Sequence, residues 1–291
     1  MPSMRDIRTR IKSVRETMQI TNAMNLIASA KLKKARKQLN DALPYFEKIQ
    51  STLNDIIAHS PDIEHKYFDQ RKDAGVKRTG YVVITADKGL CGSYNHNVIK
   101  LAEEHMKDKQ EKYLLVIGHM GRDYFRQKGY KIDIEFLYTA QNPNVIRARE
   151  IAEALISLYE NTLLDEIYVV YTKMHSAVKQ EPEVLKLLPL EKSEFDVPTN
   201  PGERYKEYMV YEPSPKKVMD ILVPNYVKGL IFGGLVEAFC SEQTSRMTAM
   251  DAATNSAKDL IKQLTLQYNQ ARQAAITQEL SEIVGGAEAL K

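Results

Sequence analysis

The sequence predicts an α/β protein: a long antiparallel coiled coil of the N- and C-terminal helices plus a central wound, mostly parallel, Rossmann-like α/β domain. Three observations carry this reading. Small or apolar residues recur at alternating steps of four and three at both ends of the chain, the mark of a coiled coil. Short apolar runs alternate with helical stretches in the middle, the mark of a parallel wound sheet. Glycine is scarce, at 13 of 291 residues, and tryptophan is absent, which suits long helices.

The first seam runs through Ile7, Ile11, Val14, Met18, then Ala28, Leu32, Ala35, Leu39, Ala42, Phe46, Ile49, Leu53 and Ile56. The helix that carries it is expected from about Ser3, an N-cap with Asp6 in its first turn, to about His59. Pro44 has no amide donor and is expected to kink the helix, since the seam resumes at Phe46; Ser60-Pro61 stops it. This arm, 1–60, is the first segment.

The second segment, 77–212, changes period. Tyr81–Thr85 reads as a strand buried on both faces. The glycine-bearing turn ADKGLCGSYNHN follows, with a helix from near Asn97. Tyr113–Ile117, with glycines at 118 and 121, repeats the unit, and Val145–Tyr159 followed by Glu166–Tyr171 gives a third copy. Ile132–Tyr138, Leu185–Leu190 and Tyr208–Tyr211 are candidate edge strands.

The third segment, 216–291, starts after Pro213-Ser214-Pro215 and repeats the seam through Val236, Cys240, Met247, Met250, Ala257, Ile261, Leu264, Tyr268, Ala271 and Ala275. Pro224 and Gly233-Gly234 are expected to make its first turns irregular. The arms enter the same middle domain, so their pairing is antiparallel. The first seam spans about 75 Å of helix. With Leu222 assumed level with Ile56, Ala271 falls level with Ile7, and about twenty residues have no internal partner. That overhang carries Ala275, Ile276, Leu280, Ile283, Val284 and Leu290. A lone helix has little reason to expose so many apolar residues, so a sleeve formed by other chains is expected.

The net charge of +3 does not imply nucleic acid, but charge is uneven. Arg5, Arg8, Arg10, Lys12, Arg15, Lys31, Lys33, Lys34, Arg36 and Lys37 face only Asp6 and Glu16 in the first forty residues, which points to an acidic partner surface or a solvated basic face. Cys91 and Cys240 form no disulfide framework, and no apolar run is read as long enough to cross a bilayer. The Arg-rich start mimics a transit peptide, but it already carries the seam and reads as mature structure.

Catalytic chemistry is mostly absent. There is no G-x-x-x-x-G-K-[ST] and no G-x-G-x-x-G. Asp87, Lys88 and the glycines of the ADKGLCG turn stand where a wound sheet would hold a phosphate or a metal; equally, the glycines only permit a tight turn. No nucleophile–base pair, metal cluster or carboxylate pair stands out, so no catalytic, cofactor-binding or metal residue is assigned.

The stretches ITNAMNLIASAKLKKA, DKGLCGSYN, YEPSP and SEQTSRMTAMDAATNSAKDLIKQLTLQYNQARQAAITQELSEIVGGAEAL together resemble the gamma subunit family of F-type ATP synthases, bacterial type. The resemblance implies the central rotor shaft. Its coiled coil would turn inside a ring of alternating alpha and beta subunits. Its wound domain, with the epsilon subunit, would dock on the membrane c ring on the cytoplasmic side of the cell membrane, with no bond chemistry of its own, no cofactor, no nucleic acid and no direct membrane insertion. Residue by residue it implies beta-subunit contacts at Met24, Arg246, Arg272, Gln273, Thr277 and Glu279, and a foot toward the c ring and epsilon at Tyr208, Tyr211 and Glu212. Gln19 and Asn22 stand where relatives often carry lysine. A nucleotide- or metal-binding Rossmann-like enzyme with a coiled-coil oligomerisation module is the alternative, and a structural tether the second.

Overall fold

A computed structural model of the chain describes residues 3–60, 62–68, 71, 75–137, 139–176, 179–195 and 211–289. These fall into two compact units: Met1–Ala30 with Arg246–Lys291, and Lys31–Ser245. Helix α1 (Met4–His59) and helix α5 (Pro215–Ala289) each contribute to both.

Both long helices begin with a hydroxyl cap. The Asp6 amide donates to Ser3 Oγ and the Ser3 amide to Asp6 Oδ2, both at 3.2 Å, a reciprocal box that satisfies free first-turn donors. Ser214 accepts from the Lys217 amide at 3.3 Å, with Pro215 at the first helical position where its missing N–H costs nothing. Pro44 lies inside α1, which continues through it as expected. The irregular start expected for α5 is not found: the helix is unbroken through Pro224, Gly233 and Gly234.

In the larger unit five strands form a mixed sheet: β1 (Arg78–Ile84), β2 (Glu111–Ile117), β3 (Ile134–Phe136), β4 (Glu166–Met174) and β5 (Gln180–Leu188). Their order is β3-β2-β1-β4-β5. The first four are parallel; β5 runs antiparallel to β4, from Met174 opposite Gln180 to Ile167 opposite Leu188. Helices α2 (Tyr94–Met106), α3 (His119–Gln127) and α4 (Val145–Glu160) are the crossovers. α2 begins three residues before the expected Asn97, and β3 is shorter than the expected Ile132–Tyr138. Of the expected strand Tyr208–Tyr211, residues 208–210 lie outside the described residues.

Alternation on the strands explains the near-continuous apolar runs. Val82, Ile84, Leu115, Ile117 and Val169 point to one face, into a core shared with α4, the later part of α1 and the first part of α5. Tyr81, Val83, Leu114, Val116 and Val170 point to the other, against α2 and α3. Burying each such side chain stabilises the fold by about 1.5–3 kcal/mol. A part of α5 does have the length and composition of a membrane span, contrary to the sequence expectation. That stretch is 44% buried, and Val227, Ile231, Phe232, Leu235, Val236 and Phe239 of the helix lie in the core of the unit.

In the smaller unit the start of α1 and the end of α5 pair antiparallel. Thr21 meets Thr254, and Asn25 meets Asp251 and Met247. The assumed register places Ala257 beside Thr21, so the observed setting differs by about one helical turn.

Candidate functional site

The turn after β1 sits at the point where the crossovers diverge, with β2 on one side and β4 on the other. This is where wound sheets hold ligands. Several of its polar groups are turned onto the fold itself, while Lys88 is exposed and Asp87 Oδ2 is buried without a hydrogen-bond partner. Asp87 Oδ1 accepts from the His119 amide at 3.0 Å, the Ala86 carbonyl from the Met120 amide at 3.0 Å, and Thr85 Oγ1 from the Gly121 amide at 2.9 Å. The first amides of α3, which would face a phosphate, are therefore occupied from within. Thr85 donates in turn to the Ile117 carbonyl at 2.8 Å. Gly118, at φ +95°, is required: a β-carbon there would lie 2.3 Å from the Thr85 carbonyl oxygen. Asn95 ties the turn from behind, accepting from the Ala86 amide at 2.9 Å and donating to Cys91 Sγ at 3.2 Å. Cys91 is buried, which removes it from reach of a substrate. Among the described residues no group of three or more metal-ligating side chains converges.

The helical arms present the remaining candidates. All ten cations of the first forty residues are exposed. Met24 is half-buried in the smaller unit, whereas Arg246 is 9% exposed and buried. Exposed Ile20 and Ile27 flank Met24 at helical spacing, extending it into an apolar strip. Sequence reasoning passed over these two; their signal was an apolar residue off the seam. Arg15, Met18 and Gln19 line an open groove of about 370 Å³ with Lys258, Ile261 and Lys262, an apolar floor with a basic rim.

Farther along α5, Arg272, Gln273, Thr277 and Glu279 are all exposed, with Thr277 Oγ1 donating to the Gln273 carbonyl at 3.0 Å. Ile276, Leu280, Ile283 and Val284 are 48–69% exposed, at steps of four, three and one that place them on one side of the helix. Within the described residues nothing covers them. Of the residues expected at the foot, Tyr211 is half-buried against the larger core, and burial, with Asp55 nearby, pushes its phenol pKa up. Glu212 is exposed, and Tyr208 lies outside the described residues.

The family model for ATP synthase matches residues 3–290. The chain is 49% identical to the ATP synthase gamma chain of Acetivibrio thermocellus, with all of both chains covered. The chain belongs to the ATP synthase gamma chain family. Another relative, at 43% identity over 99% of both chains, is the sodium ion specific ATP synthase gamma chain of Acetobacterium woodii. The fold of this gamma family member is also that of a chain in the Euglena gracilis mitochondrial ATP synthase, OSCP/F1/c-ring, in rotational state 3. There the TM-score is 0.66 at 18% identity, covering 99% of this chain and 94% of that one. A chain of the Tetrahymena thermophila mitochondrial central stalk and c-ring structure gives a TM-score of 0.58 at 22% identity, over 80% and 99%.

Proposed function

We propose that this gamma-family chain is the rotor shaft that couples ion-driven c-ring rotation to ATP synthesis and hydrolysis at the beta subunits, and that it regulates ATPase activity without performing bond chemistry itself. The observation that carries this is the apolar strip Ile276, Leu280, Ile283 and Val284, bare in the isolated chain. Water penalises such a strip, so its working surroundings are apolar. A sleeve of alternating alpha and beta subunits supplies them.

Met24, Arg272, Gln273, Thr277 and Glu279 are the beta-facing groups in this reading. Arg246, being buried, acts by supporting the helix surface or by turning outward in the complex. The basic first arm faces acidic beta segments. Each charge-assisted hydrogen bond there contributes a net of about 1.5–3 kcal/mol, enough to favour particular angles without stalling rotation. Tyr208, Tyr211 and Glu212 form the foot on the c ring and epsilon. The complex is peripheral, on the cytoplasmic side of the cell membrane, and this chain does not enter the bilayer.

The test is co-assembly. The purified chain mixed with alpha and beta subunits should give a complex that hydrolyses ATP, while the chain alone neither binds nor turns over nucleotide. Amides beyond Ala271 should exchange fast in the free chain and slowly in the complex. Slow exchange in the free chain would sink the sleeve.

A further inference from the structure

The seam of the smaller unit contains a polar layer. Thr21 and Thr254 are 8% and 5% exposed, and their hydroxyls lie 2.7 Å apart across the two helices. The Thr21 hydroxyl also reaches the Met18 carbonyl at 3.0 Å and the Thr254 hydroxyl Asn22 Oδ1 at 3.5 Å, so either threonine can be the donor across the pair. One turn on, Asn25 Nδ2 donates to Asp251 Oδ1 at 2.5 Å and to the Met247 carbonyl at 3.4 Å. Asn25 is half-buried and Asp251 exposed. Besides the two threonines, the buried seam residues Ile7, Ala28, Met250, Ala257 and Leu264 are apolar or small.

We propose that the Thr21–Thr254 and Asn25–Asp251 pairs are a register lock, positioning residues that hold the two helices at one axial setting and so fix where Met24 stands relative to Arg246. Apolar contact is non-directional, and small residues such as Ala28 and Ala257 offer little to resist sliding. A slip of one heptad would again set apolar against apolar. It would also take the Thr254 hydroxyl away from both Thr21 and Asn22 and set it against apolar neighbours, which the interior penalises, while Thr21 would keep only the Met18 carbonyl of its own helix. A polar pair in a coiled-coil seam selects register in this way. Met24 lies between Thr21 and Asn25, and Arg246 precedes Met247, so any slip would first misplace these two.

That the lock serves a turning shaft rests on the function proposed above; the lock itself does not. The experiment measures spin-label distances in the full chain. Labels go on cysteines placed at exposed Arg8 and Ala253, in a background without Cys91 and Cys240. The parent should give one narrow distance. Thr21→Val with Thr254→Val and Asn25→Ala should add a second population displaced by up to about 10 Å, one heptad of helix. Thr21→Ser with Thr254→Ser, which keeps the hydroxyls, should restore the single distance. An unshifted narrow distance in the valine variant would overturn the lock. So would loss of its helix content, since that would make the layer an ordinary stabilising element. In the reconstituted synthase the valine variant should also lower ATP synthesis several-fold. Slipped labels with normal synthesis would support the lock and remove the shaft reading.

Discussion

Phe46 of α1 occupies the space that a side chain on Gly229 of α5 would need: a β-carbon there would lie 2.4 Å from Phe46 Cδ1. The ring continues toward Phe232, with centroids 6.1 Å apart. The glycine thus lets the two helices approach within the larger unit, at the cost of helix propensity. Gly229→Ala should gain about 1 kcal/mol of propensity and lose about 1–3 kcal/mol to overpacking, for a net loss of up to about 2 kcal/mol. Urea unfolding measures it. Adding Phe46→Leu to the alanine variant should recover most of the loss; a stabilised single variant would show that the ring moves freely.

Asp87 is expected to act as a cap. Its carboxylate holds the His119 amide, so Asp87→Ala should cost about 1 kcal/mol, read as a lower midpoint in urea. Phosphate titrated against the parent chain should produce no shift in that midpoint. A phosphate-dependent stabilisation abolished by Asp87→Ala would revive the Rossmann-like enzyme reading.

The wound sheet and both long helices were legible because their signals are local. Ser3 with Asp6, Ser214 with Pro215, and the alternating runs at Tyr81–Thr85 and Tyr113–Ile117 each announce an element within a few residues. The polar layer was legible only as a gap. The seam steps from Met18 to Ala28 and from Met250 to Ala257, and the 4-3 rule places Thr21, Asn25 and Thr254 in those gaps. They fail an apolar test although they are seam residues. The burial of Arg246 was not legible, because a charged side chain is counted as exposed until its surroundings are known. The inward turn of Asp87 was likewise hidden, since its partner amide at His119 is 32 residues away. Ile276, Leu280, Ile283 and Val284 were readable as an apolar overhang from helix length alone.

Glu237 should make stability fall as pH rises. It lies on the stripe of α5 that includes Gly234, against Tyr171, and Ser241, whose hydroxyl donates to the Thr172 carbonyl at 3.1 Å. One of its carboxyl oxygens is buried without a hydrogen-bond partner. Burial pushes its pKa up; Lys173 and His175 pull it down and Glu183 pushes it further up, for a net rise. A carboxyl raised in the folded state contributes stability that is complete below the ordinary carboxylate range. That stability is lost as pH climbs through the raised value. Glu237→Gln, which keeps the neutral shape, should gain on the parent as pH rises from 5 to 8 in urea unfolding, because only the parent loses stability through that titration. A difference that stays constant across that range would show that Glu237 titrates normally.

Arg272 and Gln273 test the outer end of the same helix. Both are exposed beside the bare strip, so neither should matter to the folded chain alone. Arg272→Ala with Gln273→Ala should therefore shift its urea midpoint by less than about 0.5 kcal/mol, the usual range for surface changes. On the function proposed above, the two lost side chains would remove beta-subunit contacts, each hydrogen bond to a charged group contributing a net of about 1.5–3 kcal/mol. Such contacts act when the partner passes, so coupled ATP synthesis should drop about tenfold or more. Nucleotide binding to the beta subunits should stay at the parent level, because their sites are intact. Normal synthesis at normal assembly would mean that the tip turns on its apolar strip alone, and the polar pair would lose its assigned role.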